Sequence, residues 1–314
     1  MSPRGGFSKY LIGLMITCLA IAPTVADATT LQHETLKTWN DYIQRANGRM
    51  KDRAQTGRFL WVDEVPERKQ QLRAGKILIA AADPHVPIAV PSGLIHDWLG
   101  AVFIPNVKLD DVLAVVRDYN HYKQIYKPSV AESKSLDKAG GEDRFSMLLV
   151  NKEVVATIAL DSDYEACYQP LGDRRWYSVA VTTRLQEIQN YGRASERRLP
   201  TDEGSGYIWR LYNISRFEER DGGVYVELEA IALSRDVPAA VRWIVAPIIR
   251  SVSRNSLLIS LRQTEEAVRS AAGNNRITGT YSATGDSCRT TLKRKRLSNT
   301  PFRREACVVK SLDE

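Results

Sequence analysis

The stretch WRLYNISRFEERDGGVYVELEAIALSRDVP, residues 209–238, decides the fold, because two strand-like segments are joined in it by a tight turn. Asp221 and Gly222 are residue types that a two-residue hairpin turn prefers. The register that this turn sets pairs Glu219 with Val224, Phe217 with Val226, Arg216 with Glu227, Ile214 with Glu229, and Tyr212 with Ile231. The sequence therefore predicts an antiparallel hairpin within a larger sheet.

The two faces of this hairpin differ in chemistry, because successive side chains of a strand point to opposite sides. One face is apolar or uncharged and holds Leu211, Asn213, Ser215, Phe217, Val226, Leu228, Ala230 and Ala232. The other, called the mixed face below, holds Arg210, Tyr212, Ile214, Arg216, Tyr225, Glu227, Glu229, Ile231 and Leu233.

Two interpretations of the mixed face stay open. In the first it lines a cavity, with Arg210, Tyr212, Glu227 and Glu229 as candidate ligand-binding residues, since small-molecule sites combine apolar walls with a few polar groups. In the second it faces solvent, and Arg216 forms a cross-strand ion pair with Glu227 worth about 0.2–1 kcal/mol. The second is favoured because an apolar face normally points inward. The solvent exposure of Glu229 separates the two.

Regular elements precede the hairpin from residue 95 onward. Residues 96–105 have a strand pattern closed by Pro105, and 109–117 and 120–126 have the spacing of a helix pair. Segments rich in Val, Ile, Thr, Tyr and Trp then predict six successive strands, at 130–137, 142–151, 153–168, 175–190, 207–219 and 223–234. In front of all these, residues 31–54 predict a helix and 65–73 a shorter one.

The segment from 238 to 271 predicts two helices. Its apolar stripe changes phase near 251–254, and Pro247 is expected to kink or interrupt the backbone. Beyond Gly273 the chain is polar, basic and poor in apolar residues, which predicts a largely disordered tail.

Three stretches carry a resemblance to a known superfamily. They are GLIHDWLGAVFIPNVKLDDVLAVVRDYNHYKQIY, the hairpin quoted above, and VRWIVAPIIRSVSRNSLLISL. Together they resemble the helix-grip fold of the START and birch-pollen-allergen-like superfamily, which includes polyketide cyclases and coenzyme Q-binding proteins. The resemblance implies an α+β fold in which a curved antiparallel sheet of about seven strands surrounds a long C-terminal helix. It also implies a hydrophobic cavity for a lipid, sterol, quinone or aromatic polyketide.

The resemblance covers about residues 95–271 and sets the expected domain boundaries. Residues 29–94 form an N-terminal helical and extended segment, called the extension below, and 272–314 form the basic tail. The superfamily pattern accounts for neither.

Residues 1–28 have the pattern of a cleavable signal peptide. Arg4 and Lys9 precede an apolar run at 11–22, and Ala26 and Ala28 supply the small residues at −3 and −1. The sequence therefore predicts export to the periplasm or the exterior. Lipidation at Cys18 and an uncleaved anchor are the alternatives.

Charge is concentrated at the chain ends. The formal net charge is +7, of which residues 274–314 contribute +5 and residues 1–28 contribute +1. The remaining body is nearly neutral, which argues against a nucleic-acid-binding domain. The run KRKR at 293–296 is suited to anionic lipid headgroups, or is simply solvated.

Catalytic and metal-binding signatures are missing from the sequence. It contains no GxSxG, Walker, GxGxxG, HExxH or CxxC pattern. No catalytic residue, metal ligand or cofactor is therefore predicted. Cys288 and Cys307 could form a disulfide in an oxidising compartment.

The histidine and tyrosine residues form no recognisable catalytic pattern in the sequence. His96 and Asp97 are adjacent on a strand and so point to opposite faces, which excludes a dyad. Tyr119, Tyr122 and Tyr126 lie at helical spacing near His121, either as a packing stripe, which is favoured, or as a cavity mouth.

Three functions follow as hypotheses. The leading one is an exported protein that binds or carries a hydrophobic small molecule without covalent chemistry. The second is a cyclase- or hydrolase-like enzyme on the same fold, which requires titratable groups together inside the cavity. The third is an envelope interaction module that docks a partner or an anionic membrane through the extension and tail.

Overall fold

The computed structural model describes residues 29–277 apart from 140–141, 153–156, 173 and 238, with the backbone alone at 56, 139 and 152 and over 239–250 and 274–277. The predicted signal peptide with Cys18, most of the basic tail, and the predicted disulfide between Cys288 and Cys307 lie outside the described residues.

The strands of the described chain are β1 (Thr29–Thr30), β2 (Leu78–Ala81), β3 (Ile88–Val90), β4 (Gly93–Pro105), β5 (Val130–Ala139), β6 (Glu142–Lys152), β7 (Thr157–Pro170), β8 (Arg175–Gln189), β9 (Arg197–Arg198), β10 (Glu203–Gly204), β11 (Arg210–Arg220) and β12 (Gly223–Arg235). Ten of them form one antiparallel sheet in the order β2-β4-β12-β11-β8-β7-β6-β5, with β3 beside β4 and β9 beside β8. The short strands β1 and β10 pair separately.

The helices are α1 (His33–Thr56), α2 (Pro66–Arg73), α3 (Leu109–Val116), α4 (Tyr122–Ile125) and α5 (Ala239–Ile277), with 3-10 turns at Trp61–Glu64 and Tyr119–His121. One long strand, a helix pair, a run of antiparallel strands and a long C-terminal helix make this the predicted α+β helix-grip arrangement. The sheet is larger than the predicted seven strands, because β2 and β3 of the extension and the short β9 join it.

The hairpin of β11 and β12 has the predicted register. Arg216 pairs with Glu227, Ile214 with Glu229, and Tyr212 with Ile231. Asp221 has a φ of 55° and Gly222 a φ of 80°, the left-handed values that a two-residue turn of this kind requires.

Helices cover both faces of the central strands. The face called the α5 face packs against α5 with β4 residues Val102 and Ile104 and β12 residues Val224 and Val226. The opposite face, called the extension face, packs against α1 and the Trp61–Glu64 turn with Ala101, Phe103, Tyr225, Ile231 and Leu233. The sheet is therefore the middle of three layers.

The C-terminal segment differs from the prediction of two helices with a bend. It is one helix, Ala239–Ile277, which continues through Pro247 and the phase change. Proline removes one backbone hydrogen bond, a loss confined to one turn of a 39-residue helix. In its second half, the apolar stripe seats Leu257 and Leu261 on the sheet. Within the described residues, no helix is both long and apolar enough to span a bilayer.

Candidate functional site

The mixed face of the hairpin is the extension face, and α1 covers it. Trp39 and Ile43 of α1 pack on the same cluster as Tyr212, Ile214 and Ile231. Glu229 is only 7% exposed, so the interpretation that placed this face in solvent was wrong. The mixed face points away from α5. The prediction considered one buried face, whereas the extension buries the second.

Charged side chains on this face, buried except for the half-exposed Arg49, form a connected network. Arg216 Nε donates to Glu227 Oε2 at 3.0 Å, and its Nη1 donates to Glu229 Oε2 at 3.2 Å. Arg49 of α1 donates to Glu229 Oε1 at 3.0 Å and to Asp97 Oδ2 at 3.4 Å. Buried charges are tolerated when paired and hydrogen-bonded in this way. The network therefore links α1 to β4, β11 and β12.

Glu227 holds the 3-10 turn that follows α1. Its two carboxylate oxygens accept the backbone N–H groups of Trp61 and Val62, each at 2.9 Å. Hydrogen bonds from backbone amides to a charged acceptor are stronger than neutral ones. Glu227 therefore joins the extension to β12 directly.

Asp97 has a raised pKa in this network. Burial and the nearby negative charge of Glu229 raise the pKa of Asp97 to about 7, despite the hydrogen bond that it accepts from the Tyr42 hydroxyl at 2.6 Å. Its Oδ1 is buried and accepts no hydrogen bond from the described residues. Protonation of this oxygen costs no existing contact.

The remaining predicted ligand-binding residues also contact the body of the protein. Arg210 donates to Asp202 Oδ1 at 2.6 Å, and the Tyr212 hydroxyl donates to Asn47 Oδ1 at 2.6 Å. Arg210, Tyr212, Glu227 and Glu229 thus lie on one face, as predicted, and the extension contacts the last three of them. Ligand contact by these four residues stays a prediction.

The α5 face is less completely covered than the extension face. On β11 and β12, Leu211, Leu228, Ala230 and Ala232 are partly exposed, whereas Tyr212, Ile214 and Ile231 on the other face are fully buried. At the centre of this face the polar groups of β11 are small and uncharged, namely Asn213 and Ser215. Apolar walls with a few neutral polar groups are typical of small-molecule sites.

Two ring nitrogens on this face were missed by the sequence reasoning. His96 and Trp98 lie on β4 on the same side as Gly100, which touches α5. His96 Nδ1 and Trp98 Nε1 are buried and have no hydrogen-bond partner among the described residues. Burial lowers the pKa of His96 to about 4, so its ring is neutral near pH 7. Strand alternation in the sequence is enough to predict which face the two rings occupy. The structure is needed to show that the two nitrogens have no partner among the described residues.

At the far end of the same face lies an aromatic cluster. Tyr119 stacks on Phe145 at 4.1 Å between ring centroids, and Phe145 stacks on Tyr164 at 4.9 Å. The Tyr119 hydroxyl donates to Asp143, which Arg117 holds with two hydrogen bonds of 2.8 and 2.7 Å. Burial raises the pKa of Tyr119. The packing interpretation of this tyrosine is confirmed.

A metal centre is not assembled by the part of the chain that the structure describes. It contains no group of three His, Cys, Asp or Glu side chains placed to hold an ion. Cys167 is buried in β7.

Comparison with known proteins yields structural similarities. No protein-family model matches the chain, and no curated protein does. A STAR-related lipid transfer protein from Xanthomonas axonopodis is 17% identical with a TM-score of 0.39, over 62% of this chain and 98% of that one. Human STARD10 is 8% identical with a TM-score of 0.38, over 68% and 81%. The Zhui aromatase/cyclase from Streptomyces sp. R1128 is 12% identical with a TM-score of 0.33, over 60% and 99%. Similarities at these scores carry no argument alone, and the fold assignment stands on element order and strand pairing.

Proposed function

We propose that this protein binds a hydrophobic small molecule between the α5 face of the sheet and α5. The observation that carries the proposal is the partial exposure of Leu211, Leu228 and Ala230, which point toward α5 from the middle of the sheet. Apolar groups in the centre of a three-layer fold are normally fully buried. A bound apolar molecule would complete their burial.

Coverage of the opposite face supports the same assignment. Side chains of α1 and the Glu227 carboxylate occupy the extension face with direct hydrogen bonds and close packing. The central residues of the α5 face on β11 and β12 carry no charge, so they make no ion pairs like those on the extension face.

Filling the proposed site tests the proposal. Ala230 pairs with Trp98 across β12 and β4, so Ala230→Phe places a ring in the middle of the α5 face. We expect this variant to lose binding of the neutral fluorescent probe N-phenyl-1-naphthylamine. Ala114→Phe, on the exposed side of α3, is the matched control and should bind like wild type. Equal binding by all three proteins would exclude the site.

Adjacent residues on β11 distinguish the two faces. Asn213→Leu changes the α5 face and should alter probe affinity, whereas Tyr212→Phe removes only the hydroxyl that contacts Asn47 on the extension face and should not. The reverse result would support the predicted ligand contacts by Arg210, Tyr212, Glu227 and Glu229. Organic extraction of purified protein followed by mass spectrometry identifies a resident molecule directly.

We further propose that the protein is exported and that its basic tail contacts anionic lipid. The pattern at residues 1–28 and the KRKR run at 293–296 support this. N-terminal sequencing of protein from native cells should begin at Thr29. Co-sedimentation with phosphatidylglycerol vesicles should decrease when residues 278–314 are removed, a truncation that leaves α5 intact; unchanged co-sedimentation contradicts a role for the tail.

A further inference from the structure

His96 and Trp98 present two complementary polar groups on the α5 face. They are two residues apart on β4, so they point to the same side and their backbone positions lie roughly 6.6 Å apart along the strand. Asp97 between them points to the extension face, where it meets Tyr42. The two rings therefore belong to the proposed ligand site and not to the buried charge network.

The contacts of Ser234 are consistent with one tautomer of His96, which the inference below adopts. The Ser234 hydroxyl is placed to donate its single proton to the carbonyl oxygen of Arg235 at 3.1 Å. In that arrangement its oxygen, 2.9 Å from His96 Nε2, accepts the ring N–H, and Nε2 carries the proton. Nδ1 is consequently a lone-pair acceptor. The pKa of His96, lowered to about 4 by burial, keeps it so near neutral pH.

Trp98 supplies a hydrogen-bond donor to complement the acceptor of His96. The indole N–H is a donor only, and this one is buried without an acceptor among the described residues. Buried polar atoms are hydrogen-bonded in the large majority of native structures, and an exception calls for an explanation. One unpaired acceptor and one unpaired donor on the same face have a common explanation, a ligand group that both donates and accepts.

The charge of the surroundings narrows the ligand class. The α5-facing positions of β4, β11 and β12 contain no Lys or Arg. A carboxylate or phosphate placed there would find no counter-charge on these three strands and would face the lone pair of His96. A neutral hydroxyl donates to His96 and accepts from Trp98.

We infer that the ligand of the α5 face is an uncharged hydrophobic molecule bearing a hydroxyl group, which His96 Nδ1 and Trp98 Nε1 recognise. This rests on the proposed function and goes beyond it, since it names the polar group and the two residues that select it. His96 is 5% exposed, and an apolar molecule without the hydroxyl leaves both nitrogens unpaired.

Pairs of probes in which a methyl group replaces the hydroxyl proton test the inference. The full chain is titrated with 1-dodecanol and its methyl ether, and with 2-naphthol and 2-methoxynaphthalene. Each ether keeps the acceptor for Trp98 but loses the proton for His96. We expect wild type to prefer each alcohol by about two- to tenfold, the usual range for one net hydrogen bond. His96→Phe should abolish this preference, and Trp98→Phe should weaken alcohol and ether alike. His85→Phe, an exposed histidine beside Asp83, is the control that should keep the preference.

A second readout needs no substitution. In wild type labelled with 15N-histidine, the Nδ1 resonance of the histidine that stays neutral down to about pH 5 should shift on adding the alcohol and not on adding the ether. Equal affinity for alcohol and ether, or a preference that survives His96→Phe, overturns the inference while the proposed function stands. Failure of every apolar probe, including N-phenyl-1-naphthylamine, overturns both.

Discussion

The Arg216 guanidinium and the Glu227 carboxylate form an ion pair of 3.0 Å with side chains 1% and 0% exposed. It lies between β11, β12 and the Trp61–Glu64 turn, where water cannot screen it. Such a pair stabilises modestly as a whole, because desolvation offsets the attraction between its charges. Removal of either partner is costly, because the other charge stays buried.

Arg216→Met should lower the free energy of unfolding by about 3–5 kcal/mol, because Glu227 and Glu229 then lose their shared cation. Urea denaturation measures the loss. Arg269→Met breaks the exposed pair with Glu265 on α5 and should cost less than about 0.5 kcal/mol. Similar losses in the two variants would contradict the role assigned to the buried pair.

Glu227→Gln should increase backbone hydrogen exchange at one of Trp61 and Val62. The amide side chain keeps one acceptor oxygen where the carboxylate offers two, so one of the two N–H groups loses its partner. Glu219→Gln is the matched control, since Glu219 accepts a single backbone N–H, that of Leu109 at 2.7 Å, and the one amide oxygen suffices for it. Exchange at Leu109 should therefore stay unchanged in both variants, and exchange in the Trp61–Glu64 turn should rise only in Glu227→Gln.

Asp97 should make stability fall as pH rises from about 4 to about 7. Its folded pKa of about 7 exceeds the unfolded value of about 3.9, so the folded state binds the extra proton between these limits. The slope is at most about 1.4 kcal/mol per pH unit and vanishes above the folded pKa. Asp97→Asn should remove it.

The measurement is the difference in unfolding free energy between wild type and Asp97→Asn across this range. Both proteins contain His96, so the difference cancels its contribution to the pH dependence. Because the pKa of His96 is lowered to about 4, His96 makes stability rise with pH between about 4 and 6.5, opposite to the effect of Asp97. Asp110→Asn, at an exposed position of α3, serves as the control. A wild-type minus Asp97→Asn difference that does not change with pH rules out the raised pKa.

Gly100→Ala should lower the free energy of unfolding by about 1–3 kcal/mol through overpacking beneath α5. A Cβ there would lie 2.6 Å from Leu261 Cδ1 and 2.7 Å from Ile79 Cδ1. Leu261→Val in the same chain should recover part of the loss, measured as a double-mutant coupling energy. Gly48→Ala in α1 has nothing within 4 Å of its added carbon and should stabilise by about 0.5–1 kcal/mol. Additive effects of Gly100→Ala and Leu261→Val would contradict the contact.

Local patterns predicted the elements and the hairpin register, because the Asp221-Gly222 turn fixes pairing without long-range information. The elements that cover the mixed face could not be predicted from local patterns. The apolar residues Trp39 and Ile43 predicted a helix packed on the body, but a helical stripe does not say which surface it covers. Tyr212, Ile214 and Ile231 on the mixed face were the available signal that this surface is apolar enough to receive it.

The continuous α5 shows a second limit. Proline and a change of apolar phase are local signals for a break, and both are present near Pro247 and 251–254. The change of phase instead separates the first half of the helix from the second half, which packs on β4 and α3. Tertiary contacts along a helix override such local preferences.

Alternation along β12 sorts its positions by the face of the sheet that each side chain occupies. Odd-numbered positions from Tyr225 to Leu233 anchor the extension, and even-numbered positions from Val224 to Ser234 face α5. A library randomised at Leu228, Ala230 and Ala232 would vary what the protein accepts while leaving the anchoring residues untouched. One randomised at the odd positions would mainly return unfolded clones. Residues of the proposed ligand site and residues that anchor the extension therefore alternate along one strand.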